Sequence, residues 1–232
     1  MSDVLIGIDV SNAQGSINWD QVASSNMVNY VFCKATEGLS YKDTCFDTNW
    51  QAVQDHGWIR GAYSFARLNN DPVAEADFFV ATVGSLGPTD MLVLDIETSP
   101  IAGEQFLQWN LSWLERVESQ TGVTPIVYTG GPFFSSHGTP SADEITRLSH
   151  FPLWLAAYVV SPDKFVPSEW KSLGWKFWQA TGDVAPTGST ILHVPGIHGN
   201  VDRDEFAGTA DDLKAFASSL HAQSSDDQSA GQ

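Results

Sequence analysis

Met91-Leu92-Val93-Leu94-Asp95-Ile96-Glu97 runs apolar through four residues and then presents two carboxylates one residue apart. A short, unbroken apolar run fits a strand buried on both faces, as in a parallel sheet. Side chains alternate along a strand, so Asp95 and Glu97 share one face while Ile96 takes the other. At about 3.3 Å rise per residue, their Cα atoms lie roughly 6–7 Å apart. Two like charges at that separation repel by about 2.5 kcal/mol at an effective dielectric near ~20. Repulsion of that size lifts a Glu towards ~6, where it can donate a proton near neutrality. Read alone, the motif fits equally a polar strand end with two solvated carboxylates, or one carboxylate paired with an arginine.

Strand candidates recur on both sides of this run. Val4–Val10, Tyr30–Lys34 and Gly61–Ala66 precede it; Pro125–Thr129, Leu153–Tyr158 and Trp175–Gln179 follow, with a short eighth around Gly199–Asp202. Helical spacing fills several gaps. Val73, Ala76, Val80 and Val83 repeat behind an Asp71 cap and Pro72. Phe106, Leu107, Asn110, Leu111, Leu114 and Val117 form one face of a longer helix that Gly122 ends. Leu213, Phe216, Ala217 and Leu220 follow a Thr209/Asp212 capping box. Between the sixth and eighth strands, Pro162, Pro167, Pro186 and Pro195 leave little room for regular helices.

Alternating strands and helices predict an α/β fold with a mostly parallel sheet. Eight strands suggest a single irregular (β/α)8-like barrel over residues 1–220, with fewer regular helices in its second half. A doubly wound open sheet competes, but no Gly-x-Gly-x-x-Gly follows the first strand. Residues 221–232, rich in Ser, Asp and Gln, read as a disordered tail.

Composition narrows the function. The 232 residues carry 28 acidic against 11 basic side chains, a formal charge of −17, which speaks against nucleic acid and anionic membranes as partners. No apolar run is long enough to span a bilayer, and no basic segment followed by an apolar core marks a signal peptide. Cys33 and Cys45 are either a disulfide or two reduced thiols. The histidines show no His-Glu-x-x-His pattern, so no metal is expected, and no other cofactor is expected either. A monomer is the expected state.

In a barrel, functional side chains collect where strands end. Those ends supply Asp9, Lys34, the Asp95/Glu97 pair and Asp202, together with Tyr63, Phe65, Tyr128, Trp154, Tyr158 and Trp178. Carboxylates with a wall of aromatic rings are the ingredients of a carbohydrate hydrolase, because rings stack on sugar faces and carboxylates stabilise an oxocarbenium-like transition state. Each residue also has a plainer reading. Asp9 fits a turn cap in Asp9-Val10-Ser11-Asn12, Lys34 and Glu37 fit a surface ion pair, and Trp154 and Trp178 fit a core.

Taken together, the motifs resemble glycoside hydrolase family 25, the family of phage endolysins and secreted bacterial and fungal lysozymes. Ile8-Asp9-Val10-Ser11 resembles its first strand, Lys34-Ala35-Thr36-Glu37-Gly38 its second and Arg60-Gly61-Ala62-Tyr63-Ser64-Phe65-Ala66 its third. Leu94-Asp95-Ile96-Glu97 matches its catalytic strand; Val127-Tyr128-Thr129, Leu153–Tyr158, Phe177-Trp178-Gln179 and Gly196–Asp202 follow in order. Ser64 departs from the pattern, since relatives often place His there, but alternation turns it away from Tyr63 and Phe65.

The resemblance implies a muramidase acting on peptidoglycan at the β-1,4 bond between N-acetylmuramic acid and N-acetylglucosamine. Glu97 would be the general acid; Asp95, Asp9 and Asp202 would tune that proton, orient sugar or water, and stabilise positive charge. Tyr63, Tyr128, Trp154 and Trp178 would line the glycan groove. Action on the bacterial cell wall follows, either as an endolysin released from a host cytoplasm or as a secreted enzyme. The alternative is a carbohydrate-binding barrel that has lost catalysis; retention of all four carboxylates speaks against it.

Overall fold

The computed structural model describes residues 4–158, 161–182 and 192–221. Strand β1 (Val4–Val10) leads through helix α1 (Trp19–Ser25) to β2 (Tyr30–Glu37), which turns into the two-residue β3 (Tyr41–Lys42). Helix α2 (Phe46–Asp55), β4 (Ile59–Phe65), α3 (Pro72–Val83), β5 (Met91–Ile96), α4 (Glu104–Thr121) and β6 (Ile126–Gly130) continue the alternation. Helices α5 (Gly131–His137) and α6 (Ala142–Ser149) precede β7 (Leu153–Ala156). Among the described residues between β7 and β8 (Phe177–Thr181), only 3-10 turns occur, at Asp163–Phe165 and Ser168–Trp170, as the prolines there require. Strand β9 (Asp202–Ala207) and α7 (Ala210–Ser219) complete the described chain.

Eight strands close in the order β1-β2-β4-β5-β6-β7-β8-β9, with β3 appended to β2 as an antiparallel hairpin. Neighbours from β1 to β8 run parallel, whereas β9 pairs antiparallel with both β8 and β1. The predicted irregular barrel is therefore present, and β9 is its main irregularity. The eighth strand begins at Asp202, where the sequence reading ended it. Asp202-Arg203-Asp204-Glu205 reads as loop because four successive residues are charged. Alternation resolves this: Arg203 and Glu205 pair on the outer face at 2.7 Å, while Asp204 is completely buried within the barrel.

Local signals account for the helix ends. Asp71 accepts a 2.8 Å hydrogen bond from the Ala74 amide at the start of α3, a cap worth about 1 kcal/mol. Helix α4 stops at Gly122, whose φ of +68° is the left-handed conformation that glycine adopts without strain. Thr209 and Asp212 form the expected capping box on α7.

Two inward-facing glycines let aromatic rings fill the barrel. A Cβ on Gly7 would meet the Tyr30 ring at 2.1 Å, and one on Gly61 would meet the Phe32 ring at 2.3 Å. Phe32 in turn stacks on Trp154 with centroids 4.2 Å apart, and Phe177 packs edge-on to Phe32 at 5.2 Å. At the opposite end from the carboxylates, Arg60 donates to both oxygens of Asp90 at 2.9 and 2.8 Å, and its guanidinium lies 3.7 Å from the Trp50 ring centroid. Cys33 and Cys45 are free thiols. The His221 ring donates to the Asp90 carbonyl at 2.8 Å; the remainder of the predicted tail, 222–232, lies outside the described residues. No described helix is long and apolar enough to cross a membrane.

Candidate active site

The C-terminal ends of the parallel strands converge on a pocket of about 250 Å³. Asp9 enters from β1, Lys34 from β2, Tyr63 and Phe65 from β4, and Asp95 from β5, with Glu97 one residue past that strand. Tyr128 enters from β6, Trp154 from β7 and Tyr158 from the loop beyond it. Asp202 comes from β9, whose antiparallel direction makes its first residue, not its last, reach this end. Ten of the eleven predicted residues thus meet in one place.

Trp178 does not. Strand β8 directs Phe177 and Gln179 inward, so Trp178 faces outward, donates its indole N–H to the Ala157 carbonyl at 2.7 Å and lies 6.1 Å from the Trp175 ring. The groove-lining role expected of Trp178 is therefore corrected; that position on β8 belongs to Gln179.

Gln179, absent from the predicted set, ties the site together. Its amide nitrogen donates to Asp9 Oδ2 at 2.8 Å and approaches Asp202 Oδ2 at 3.5 Å. Its carbonyl oxygen accepts from the Tyr128 hydroxyl at 2.7 Å and the Tyr158 hydroxyl at 2.8 Å. Below it, Asp204 accepts from the Trp154 indole at 3.0 Å. Parity along β8 and β9 was the available signal for both residues.

Burial decides the electrostatics. Asp95 is raised well above the ordinary carboxyl range by loss of solvent, then by the negative charge of Glu97, against a lowering pull from Lys34. Burial also raises Glu97, opposed by a hydrogen bond from Asp95 and by Lys34. Like-charge repulsion is therefore not the main cause at Glu97, as spacing alone had suggested. The two carboxyls titrate as a pair that holds its last proton late. Burial likewise pushes the Tyr63 and Tyr128 hydroxyls up, which keeps them neutral donors.

A cationic rim closes one side. Lys34 Nζ sits 2.8 Å from Glu37 Oε2 and 4.8 Å from the Phe65 ring centroid, while Arg67 Nε donates to Glu37 Oε1 at 3.0 Å. Ser64 faces away, accepting from the buried Thr36 hydroxyl at 2.9 Å. A wider hollow of about 1170 Å³ between α1 and α2 is larger, but the Asp20 carboxylate on its wall is 93% exposed and no cluster of catalytic carboxyls forms there. Among the described residues, no group of three or more His, Cys, Asp or Glu has the arrangement of a metal site.

A carboxyl pair at a strand end, faced by further carboxylates and rings, matches one known pattern closely. The model of the family described as Glycosyl hydrolases family 25 matches residues 8–188. The chain belongs to glycosyl hydrolase family 25. Lysozyme M1 of Streptomyces globisporus is 36% identical over 224 residues, spanning 91% of this chain and 70% of that protein. The N,O-diacetylmuramidase of Chalaropsis sp is 28% identical over 214 residues, spanning 84% and 95%. Among solved structures, the bacterial lysozyme from Streptomyces coelicolor superposes with a TM-score of 0.79 at 33% identity, covering 93% of this chain and 98% of that one. This family 25 member is a glycoside hydrolase, as the ordered motifs implied, and its barrel is the family's barrel.

Proposed function

We propose that this glycoside hydrolase is an N-acetylmuramidase that cleaves the β-1,4 bond from N-acetylmuramic acid to N-acetylglucosamine in bacterial peptidoglycan. The observation that carries the reading is the Asp95–Glu97 pair, Asp95 buried and Glu97 at the pocket surface, both raised by desolvation and set opposite Asp9, Gln179 and Asp202 in one pocket. Glu97, the less buried member, delivers the proton to the leaving glycosidic oxygen. Asp95 is buried behind it and holds Glu97 through their shared hydrogen bond. Asp9 and Asp202, fixed by Gln179, stabilise positive charge at the anomeric carbon and orient the sugar or the attacking group. Tyr63, Tyr128, Trp154 and Tyr158 supply the walls, and Lys34 with Phe65 the rim.

The cell wall is then the site of action. A non-catalytic carbohydrate-binding barrel has no use for a desolvated acid pair, which costs stability wherever both carboxyls must ionise. Mass analysis of the reducing ends released from purified peptidoglycan tests the proposal. Muramic acid ends support it; glucosamine ends, or no new ends, overturn it.

A further inference from the structure

Outside the barrel, between β7 and β8, lies a basic and aromatic surface that the catalytic pocket does not use. Lys164, Lys171 and Lys176 are three of the chain's eleven basic side chains, gathered in one short stretch. All three are exposed, and none forms an ion pair among the described residues. By contrast, seven of the remaining eight pair with a carboxylate, and the exception, Lys214, lies on α7. Of the two acids in the same stretch only one reaches solvent. Glu169 is buried, and Asp163 accepts from the Trp175 indole at 3.0 Å.

Aromatic rings share this face. Parity along β8 turns Trp178 outward, and Lys176, two residues earlier, has the same parity. The Lys176 amide continues the strand pairing, donating to the Leu153 carbonyl at 2.8 Å. Trp175 packs on Trp178 with centroids 6.1 Å apart and planes tilted by 56°. Both rings are half-buried, and both N–H groups are occupied, by the Ala157 carbonyl and by Asp163. The rings are thus held in orientation, and what they offer a partner is their faces. Leu173, in the turn before them, is 56% exposed, more than any other large apolar side chain among the described residues.

We propose that this patch is a second peptidoglycan-binding surface, which holds a glycan strand of the insoluble wall against the flank of the barrel. Indole faces stack on the apolar faces of pyranose rings, and the lysines meet the free carboxylates of the stem peptides. The formal charge of −17 gives the lysines their importance. An acidic protein is repelled by an anionic polymer except where its own basic groups concentrate. A protein partner requires about 800 Å² from each side, more than two half-buried rings and a leucine present. Neither the lysines, Leu173 nor the two tryptophans border the catalytic pocket, although Trp178 directly precedes Gln179, which does. A strand bound here lies beside the pocket and not within it.

This inference rests on the peptidoglycan substrate proposed above, and its test separates the two. Binding to insoluble peptidoglycan stripped of teichoic acid is measured by sedimentation, with Glu97→Gln in every protein so that the wall is not digested. Two changes are compared in that background: the triple Lys164→Gln, Lys171→Gln, Lys176→Gln, and the single Trp175→Ala. The triple variant is expected to bind about tenfold more weakly at low salt, since three modest contacts multiply. In about 1 M salt it should match its parent, because screening removes the charge contribution. Trp175→Ala is expected to lose about tenfold at both salt levels, as an apolar contact does. With Glu97 restored, both changes should raise KM about tenfold on insoluble wall and leave hydrolysis of short soluble muropeptides unaltered. Melting temperatures confirm folding; the three lysines are exposed, so they decide if Trp175→Ala does not fold.

Equal wall binding by the folded triple variant and its parent, or an equal loss on short soluble fragments, overturns the docking surface. So does a concentration-dependent dimer that the triple variant abolishes, which would make this face a contact between two copies. If the wild type releases no muramic acid ends, the muramidase reading falls and sedimentation alone decides the surface. Binding that depends on the lysines and Trp175 then supports it, and binding indifferent to them rejects it.

Discussion

Gln179 and Asp9 stand 170 residues apart in the chain, yet a 2.8 Å hydrogen bond joins them across the mouth of the barrel. The same amide accepts from the Tyr128 and Tyr158 hydroxyls, so one uncharged side chain fixes two rings and a carboxylate at once. Replacing it with leucine strips the buried Tyr128 hydroxyl of its acceptor, at a cost of about 1–3 kcal/mol, and should lower kcat at least tenfold. Gln179→Glu keeps the acceptor but sets another carboxylate between Asp9 and Asp202. That variant should be weakest near neutral pH and regain activity in acid; wild-type activity at pH ~7 would sink the argument.

Glu97→Gln should fold with an unchanged melting profile in acid and lose at least about 10²-fold in hydrolysis, because an amide matches the shape but cannot release a proton. Retention of more than about a tenth of the wild-type rate in a reducing-end assay would remove Glu97 from the general-acid role.

Asp95→Asn leaves Glu97 to titrate alone beside a neutral donor. In the wild type, the second proton leaves late because both carboxyls are partly or wholly desolvated, Asp95 most, and the resulting charges repel. The basic limb of the pH–rate profile should therefore move to lower pH in the variant, with reduced kcat. An upward shift would show the coupling to have the opposite sign.

Asp204 tests stability apart from chemistry. Burial, then the charges of Asp9 and Asp202, raise its carboxyl well above the ordinary range. The folded state thus holds this proton more tightly than the unfolded chain, whose Asp titrates near ~3.9. Stability from this group is complete below that value and is lost as pH climbs towards the raised one. Asp204→Asn keeps an acceptor for the Trp154 indole and cannot ionise. Its melting temperature relative to wild type should rise steadily from pH ~4 to ~8. A constant or shrinking difference would show that Asp204 carries no such proton.

Glu37 governs how much of the Lys34 charge the acid pair feels. Burial raises its carboxyl, but hydrogen bonds from Lys34 and Arg67 outweigh that and hold it below the ordinary range. Glu37→Gln leaves the Lys34 charge less balanced, so the basic limb should fall by about 0.3–0.5 pH unit at low salt. Arg67→Gln should move it the other way, by restoring the full Glu37 charge to Lys34. Shifts of the same sign in both variants would break the proposed chain of charges. The other ionisable groups around the pair (Asp9, Tyr63, Tyr128, Tyr158 and Asp202) stay unaltered in both.

Much of this architecture is legible in the sequence because hydrophobic pattern and burial coincide. Met91–Ile96 is apolar except for Asp95 and buried at every position, and Asp71-Pro72 and Gly122 mark helix ends by backbone chemistry alone. Strand β9 is hard to read for the opposite reason: its inward positions include Asp202 and Asp204, so charge masks the alternation. On β8 an indole drew the reading towards Trp178, although parity sends the amide of Gln179 into the site. Spacing located the Asp95–Glu97 pair but not the dominance of desolvation, which depends on what the other seven strands place around it.

The antiparallel closing strand also sets an order of events during synthesis. Val4 pairs with Ala207 and Asp9 with Asp202, so β1 waits for β9, about 200 residues later in the chain, before either has its full set of partners. A nascent chain that has exposed β1 to β8 carries Glu97 and Asp95 but an open seam between β8 and β1, with no Asp202 at the pocket. Such long-range pairing slows folding and leaves strand edges exposed meanwhile. If Asp202 has the role proposed above, a ribosome-bound chain that stops short of residues 202–207 lacks both the seam strand and that carboxylate, and should not hydrolyse peptidoglycan.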